Sequence, residues 1–542
     1  MKTVPIHSLE STFSELANVR WQGNEVDQGR DCLAYSENED KVHVAFADRV
    51  RELNESAEAL GMQVELEIDP FGNSYAVLAG ESEREVMICS HLDSVPNGGK
   101  FDGVLGVTAG LETIQRFIDQ DQKPNKTIRV AAFRAEESSI TGHSCLGSAL
   151  ATGNFDISEL KQKPYNDSGK SLFNVLTDRG MTESEIEQLR DNPYINAGLL
   201  DEVLEVHIEQ SSVLESLDEP IGVVVNGIGG ARRSDVTISS KTEEEVEAVD
   251  DNSKILKIII NGKAGHSGGL PMNGEVILDQ EMNLRKDALV VAAQFLEVNP
   301  NVKLGGISIP DGGSYNVVSR ECTLELLVPA DFDYSGMRTQ MDEILLDEMS
   351  ADFQLLEGKK RVILINKDVV GATMKIIIEC QQIAEEMARG TRGAVRATIG
   401  KLSVNTGNSI EIGIDQRRLN NIYARFMKER IKERIYFQSE YFDVNAGEGN
   451  IKSTSATPLS RDVADTMREA YGTLFGPKKP PEMGSMPGQD AAKVIRLKNG
   501  NVNGGMIFVR SLNGGVSHHP AELSSMDDIQ KACDLLFATI NR

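Results

Sequence analysis

Thiols are scarce in this chain. Six cysteines, Cys32, Cys89, Cys145, Cys322, Cys380 and Cys533, are scattered over 542 residues with no C-x-x-C pair among them. That spacing excludes a thiolate-bound structural metal and a disulfide framework, and it suits unpaired thiols in a reducing compartment. Long apolar runs are missing too. None approaches the roughly 18 residues that a membrane span requires, and Met1 to Leu9 lacks the apolar stretch of a secretory leader. No membrane association is expected, and the cytoplasm is the expected location. Positive charge is in deficit, with 56 basic against 83 acidic residues for a net charge of -27. A field of that sign repels phosphate backbones and anionic lipid, so nucleic acid is not an expected partner. What the chain does have is 40% hydrophobic content over its whole length, enough for a large core and for more than one domain.

Histidine is also rare, at eight residues, yet five of them fall in short segments that bracket acidic residues or glycines. The segments are Ser90-His91-Leu92-Asp93, Phe101-Asp102-Gly103, Ala135-Glu136-Glu137-Ser138, Glu205 to Gln210 around His207, Lys263 to Gly268 around His266, and Gly515 to Pro520 with His518 and His519. Taken singly, an acidic pair reads as a solvated loop and a lone histidine as a surface or capping group. Together the segments contain every ligand a two-metal site needs. Imidazole and carboxylate without thiolate suit catalytic zinc, manganese or cobalt. A carboxylate bridging two such ions holds them about 3.5 to 4 Å apart over a shared water. Asp102 is the expected bridge, because the glycines around it let the backbone turn tightly toward His91. Asp93 is placed to accept the second imidazole proton of His91 and fix its tautomer. Glu136 and Glu137 divide their labour, Glu137 binding metal and Glu136 moving protons between water and a leaving nitrogen.

The coarse pattern places these groups at strand ends. Helical spacing over Lys41 to Met62 is followed by strands at Val64–Leu66, Ala76–Leu78 and Val86–Cys89, a helix over Val107–Ile118, and further strands at Thr127–Phe133, Val203–Val206 and Gly505–Val509. Four of these strands lead directly into the His- and Glu-bearing segments, which is where ligands collect in open α/β sheets. From about Val225 to Asn445 the metal-site motifs are absent and the pattern changes to two successive βαββαβ units. The first has strands at Ile255–Ile260, Val302–Ile309, Glu321–Val328 and Asp352–Leu356 and helices at Leu284–Leu296 and Tyr334–Met349. The second has strands at Arg361–Ile365, Val395–Leu402, Ser409–Ile414 and Arg434–Phe442 and helices at Met374–Ala388 and Arg417–Glu433. The expected domains are therefore 1–224 and 446–542, together an α/β catalytic domain with a central mixed sheet flanked by helices, and 225–445, an inserted α+β domain of two tandem ferredoxin-like units.

These segments resemble the hydantoinase/carbamoylase branch of the di-zinc aminoacylase and carboxypeptidase superfamily. The closest stretches are Ser90 to Gly103, Cys145-Leu146-Gly147-Ser148, Glu205 to Gln210 and Gly515 to Glu522. The resemblance implies a di-zinc exopeptidase-like fold with an inserted lid, and two divalent ions held by His91, Asp102, Glu137, His207 and His518. It makes Glu136 the catalytic base. It further implies that Gln210, His266 and Asn316 touch a small substrate carrying a carboxylate, the histidine polarising the scissile carbonyl. The expected activity is metal-dependent hydrolysis of a linear amide or ureido bond in an N-carbamoyl amino acid or related ureide. A dipeptidase or N-acyl amino acid hydrolase would use the same metals.

The chain departs from that pattern in places. The first lid unit keeps Gly265-His266-Ser267-Gly268 and Tyr315-Asn316-Val317-Val318, but has Leu327-Val328-Pro329 where the resemblance calls for Asp-x-Arg. The second supplies Asp415-Gln416-Arg417 without a matching histidine or asparagine. Members commonly dimerise through the lid, one subunit lending His and Asn to a site whose Arg is its own. Two readings follow: the duplicated lid is a dimer folded into one chain, with His266 and Asn316 from one half and Arg417 from the other, giving a monomer, or the second half is an unrelated insertion with Arg417 a surface charge, leaving a homodimer. Gln489 stands where the family has a histidine, and glutamine bonds but carries no proton.

Overall fold

The computed structural model describes residues 9–17, 29–162, 164–165, 169–240, 246–247, 253–263, 265–266, 270–273, 275–277, 280–282, 285–309, 317–357, 362–365, 367–391, 395–406, 409–419, 427, 429–431, 433, 443–448, 455–498 and 500–542. The chain divides into two compact units, Met1–Ile228 with Thr457–Arg542, and Gly229–Ala456.

An eight-stranded sheet organises the first unit, in the order Val64–Ile68, Ser74–Leu78, Lys126–Phe133, Ser82–His91, Leu200–Ile208, Asn503–Val509, Ile221–Ile228, Glu482–Ser485. The four strands from Lys126–Phe133 to Asn503–Val509 run parallel to one another, and those outside them include antiparallel pairs, so the sheet is mixed. Its central strands are apolar on both faces, as parallel strands covered by helices must be. Val86, Ile88, Leu204, Val206 and Ile507 join one core with the helices Glu37–Glu58, Val104–Asp119, Arg461–Phe475 and Met526–Ile540. Helix Val104–Asp119 is buried nearly all round, only Glu112, Arg116 and Asp119 reaching outward, because the sheet covers one side and helices Leu9–Ala17 and Met526–Ile540 cover others.

The second unit holds two four-stranded antiparallel sheets. One is ordered Lys303–Ser308, Glu321–Pro329, Ser253–Asn261, Ser350–Glu357, and helices Ala288–Val298 and Ser335–Ile344 connect its strands. The other is ordered Val395–Thr406, Ser409–Arg418, Gly230–Ser239, Asp443–Glu448, with helix Lys367–Thr391. Both are βαββαβ orders, but they are nested and not in tandem. Strand Gly230–Ser239 pairs with Ser409–Arg418 from Ser239↔Ser409 to Gly230↔Arg418, so the outer half opens, admits the whole inserted half, and resumes at Lys367. The strand expected at 361–365 shrinks to Val362–Ile363, which pairs with Val246–Glu247 outside both four-stranded sheets. The helix expected to begin at Arg417 does not begin there, because strand pairing runs on through Arg418. The strand expected at 434–442 lies outside the described residues.

The two halves share one apolar core, to which helix Ala288–Val298 gives Leu289, Ala292 and Phe295 and helix Lys367–Thr391 gives Ile377, Cys380 and Ala384. Buried polar groups pin them further. Arg396 of the outer half donates to Glu275 of the inserted half at 2.8 and 3.2 Å. Arg285, fully buried, donates to the carbonyls of Ala397 (3.2 Å) and Leu270 (3.0 Å) and to the Thr398 hydroxyl.

Candidate active site

Each carboxyl end of the four parallel strands delivers part of one cluster. His91 closes strand Ser82–His91, His207 lies one residue from the end of Leu200–Ile208, Glu136 and Glu137 follow Lys126–Phe133, and His518 sits in the loop after Asn503–Val509. Asp102 comes from the turn before helix Val104–Asp119. Gly103 makes that turn possible: its φ is +71°, and a Cβ there would lie 2.5 Å from the His91 ring.

The Asp102 carboxylate is shared. Its Oδ1 faces His91 Nε2 at 3.3 Å and His207 Nε2 at 3.1 Å, while its Oδ2 faces His518 Nε2 at 3.3 Å. Glu137 Oε1 completes the second side, 3.1 Å from His518 Nε2. Among the described residues two groups therefore have donor atoms all within 4.8 Å of one another, His91–Asp102–His207 and Asp102–Glu137–His518. Nδ1 of His91 faces the Asp93 carbonyl at 3.2 Å, and Nδ1 of His207 faces the Ile208 carbonyl at 2.9 Å. A proton on each Nδ1 satisfies those carbonyls and turns Nε2 toward the cluster as the ligand atom. This donor set fits two divalent ions, one on each side of Asp102.

Electrostatics agree. Burial opposes charge on His91, His207 and His518, but the surrounding carboxylates override it: His207 rises to about 9, and His91 and His518 rise well above the ordinary histidine value. Asp102 is held well below the ordinary range, its burial outweighed by His207, His518 and His91. The carboxylates around the three imidazoles thus favour positive charge at the cluster.

Buried carboxylates behind the cluster hold main-chain amides. Asp93 accepts from Glu136 N at 2.9 Å and Glu137 N at 3.0 Å, so it fixes the acidic pair as well as facing His91. Glu39 accepts from Ala135 N (3.0 Å) and Arg134 Nη1 (2.8 Å), steadying Ala135 at a φ of +54°. Glu205 accepts from Ala491 N at 2.9 Å, and the neighbouring Asp490 accepts from Ser148. Glu136 itself is buried, with Oε1 receiving the Cys145 thiol at 2.9 Å and Oε2 4.0 Å from His91 Nε2. Burial pushes its carboxyl well above the usual range, against the pull of His91 and with a further push from Glu137.

The structure thus brings His91, Asp93, Asp102, Glu136, Glu137, His207 and His518 together. Gln210, at a φ of +55°, donates through Nε2 to Asp102 Oδ2 at 2.6 Å and reaches Ser517 at 3.2 Å. Gln489 is buried and donates to Ser485 at 3.3 Å. In the second unit His266 lies on a short strand, Gly265–His266, paired with Val317–Val318, while Asn316 lies outside the described residues. Arg417, opposite Arg396 in the outer sheet, donates through Nε to Asp415 at 2.7 Å. Pro329 ends strand Glu321–Pro329 of the inserted half, paired with Ser253. Sequence reasoning assigned no role to Glu39, Glu205, Asp490 or Glu522. The one local signal was the position of Glu522, four residues after His518.

A cluster of this kind on strand ends of a mixed α/β sheet defines a metal-dependent hydrolase of carbon–nitrogen bonds. The sequence pattern of peptidase family M20/M25/M40 matches residues 87–542, and the chain belongs to that family, whose enzymes use a two-metal site. An N-carbamoyl-L-amino-acid amidohydrolase of Pseudomonas sp. (strain NS671) is 30% identical over 345 residues, 60% of this chain and 71% of the relative. An allantoate amidohydrolase of Bacillus subtilis (strain 168) is 32% identical over 180 residues, 33% of this chain and 42% of the relative. The crystal structure of a hydantoinase/carbamoylase family amidase from Burkholderia ambifaria superposes with a TM-score of 0.57 at 18% identity, covering 98% of this chain and 96% of that one. Family resemblance and mixed α/β fold are both borne out.

Proposed function

We propose that this protein hydrolyses the ureido or linear amide bond of an N-carbamoyl amino acid or related ureide. The observation that carries the reading is the division of the Asp102 carboxylate between two histidine-bearing groups, with buried Glu136 beside them. His91, Asp102 and His207 would hold one ion and Asp102, Glu137 and His518 the other, zinc, manganese or cobalt suiting this donor set. Bound there, such ions would lower the pKa of an attacking water and polarise the scissile carbonyl. Glu136 Oε2 would accept the proton of the attacking water and give it to the leaving nitrogen. Cys145 on Oε1 keeps the other oxygen turned inward.

Substrate recognition falls to Gln210 beside Asp102, and to His266, Asn316 and Arg417 of the inserted domain. His266 stabilises the tetrahedral oxyanion, and Arg417 with Asn316 takes the carboxylate, a planar anion that a guanidinium grips in two-point fashion. The nested halves support a composite site of this type, since they are locked into one body by Arg285 and the Glu275–Arg396 pair. The chain supplies both halves of the lid itself and acts as a monomer. We place it in the cytoplasm, in keeping with its six free thiols and with the finding that no helix among the described residues is long and apolar enough to cross a membrane.

The test is a substrate panel. Zinc-, manganese- or cobalt-loaded protein is given N-carbamoyl amino acids, allantoate, N-acyl amino acids and dipeptides, and ammonia and amine release are followed. Metal-dependent ammonia release from a carbamoyl or ureide substrate is expected, reduced about 10²- to 10⁴-fold in Glu136→Gln with metal content unchanged. Amine release without ammonia, from acyl or peptide substrates alone, would replace the ureide reading with an acylase or peptidase.

A further inference from the structure

Glu522 lies behind the metal cluster and touches no ligand side chain. Its carboxylate is buried and faces main chain only: Oε1 accepts from Phe101 N at 2.8 Å and Asp102 N at 3.1 Å, and Oε2 accepts from His518 N at 3.3 Å. One side chain thus joins two loops 420 residues apart in sequence, one carrying the shared carboxylate and the other its fourth-strand histidine. The seat is specific. Gly99 lies under the carboxylate, where any Cβ would overlap Glu522, and the Glu522 amide closes its own turn on the His519 carbonyl at 2.9 Å. His518 has a φ of +59°, a left-handed conformation that a non-glycine residue keeps only when its surroundings over-determine it. Glu522 is what holds its amide.

We infer that Glu522 is a positioning residue that sets the Asp102 and His518 loops to one another and thereby governs occupancy of the ion held by Asp102, Glu137 and His518. This rests on the two-ion reading above. The effect is asymmetric because His518 belongs to one ion only. Asp102 serves both ions, so both feel the loss of Glu522 at its amide, but only the ion on His518 also loses the restraint on a strained ligand.

The experiment compares full-length wild type with Glu522→Ala and Glu522→Gln. Zinc bound per chain is measured after metal removal and stepwise reloading against a competing chelator, alongside the unfolding midpoint in EDTA and kcat and KM with the substrate found in the panel. Wild type is expected to hold two ions. Glu522→Ala should hold the second about 10- to 100-fold more weakly and the first with a distinctly smaller loss. Its kcat should fall in step with second-ion occupancy and recover in excess zinc, with KM little altered. Glu522→Gln, which keeps an oxygen for the Phe101 and Asp102 amides but turns an NH₂ toward His518 N, should fall between. A general packing defect would instead weaken both ions equally, and that result overturns the inference. So does unchanged second-ion affinity in a folded Glu522→Ala protein. If that variant does not fold, the same comparison on Glu522→Gln decides. Wild type holding fewer than two ions overturns the two-ion reading and this inference with it; a second ion held with equal affinity by wild type and folded Glu522→Ala overturns the inference alone.

Discussion

Asp102 reaches its central place because three neighbours leave it nowhere else to go. Gly103 takes a φ of +71° against the His91 ring, the Glu522 carboxylate holds the Phe101 and Asp102 amides, and Gln210 donates to Oδ2. Gly103→Ala removes the first of these. It puts a side chain into left-handed backbone and onto an imidazole 2.5 Å away, so it should cost at least about 2 kcal/mol of stability and weaken both ions together, since Asp102 serves both. Urea unfolding in EDTA and zinc binding check the two effects separately, and a variant with wild-type zinc affinity would show that the turn is not what places the carboxylate. The residues that gather in the cluster were legible in the sequence because scarce histidines fell beside glycine or acid at the ends of apolar runs. Glu39, Glu205 and Asp490 were not, since among 83 acidic residues in the chain a buried carboxylate that grips a backbone amide or a hydroxyl has no local mark to set it apart from a solvated one, and Glu522 had only its place four residues after His518.

Strands and helices in the second unit were read in nearly the right places, yet their partnership was read wrongly. Alternation identifies a strand but carries no record of which strand it joins, and Gly230–Ser239 finds its partner at Ser409–Arg418 across the whole inserted half. The nested arrangement has a consequence for assembly. Strands Lys303–Ser308 and Val395–Thr406 each form one edge of a sheet, the opposite edges being Ser350–Glu357 and Asp443–Glu448, and the first two lie against one another, with Ile365 N also bonded to the Leu304 carbonyl at 2.8 Å. Two of the four edges are thus covered from within and closed to a second chain. Light scattering at micromolar concentration should therefore return the mass of a single 59.3 kDa chain, with activity per chain constant on dilution. A dimer whose dissociation abolishes activity would mean that the inserted half does not stand in for a partner subunit.

For the molecule as a whole, the buried ionisable groups set how stability responds to pH and metal. Burial lifts Glu39, Glu205 and Glu522 to about 7 and Asp69, Asp287 and Asp490 to about 6; His207, despite burial, is lifted to about 9 by Asp102. Each of these groups binds its proton more tightly in the folded chain than in the unfolded one. Its contribution is complete below the unfolded value and is lost as pH rises through the folded value. The carboxyls drain between their ordinary range near 4 and about 7, and His207 between 6.5 and about 9. Asp102 acts in the opposite sense, but only as pH falls below its ordinary 3.8, and His43, which burial holds well below its ordinary 6.5, opposes the trend up to that pH as one group against six carboxyls. The metal-free protein should therefore melt at progressively lower temperature from about pH 5 to pH 9, and a midpoint that stayed level or rose over that window would contradict the buried-proton picture. General repulsion from a net charge of -27 acts in the same direction but is screened by salt, whereas groups inside the fold are screened far less. A slope that survives at high ionic strength is thus the buried part. Divalent ions replace the imidazole protons, so zinc binding near pH 7 should release protons, read as a dependence of calorimetric heat on buffer ionisation enthalpy. Saturating zinc should then raise the midpoint most at the alkaline end, where the ligands no longer have to surrender protons to bind it.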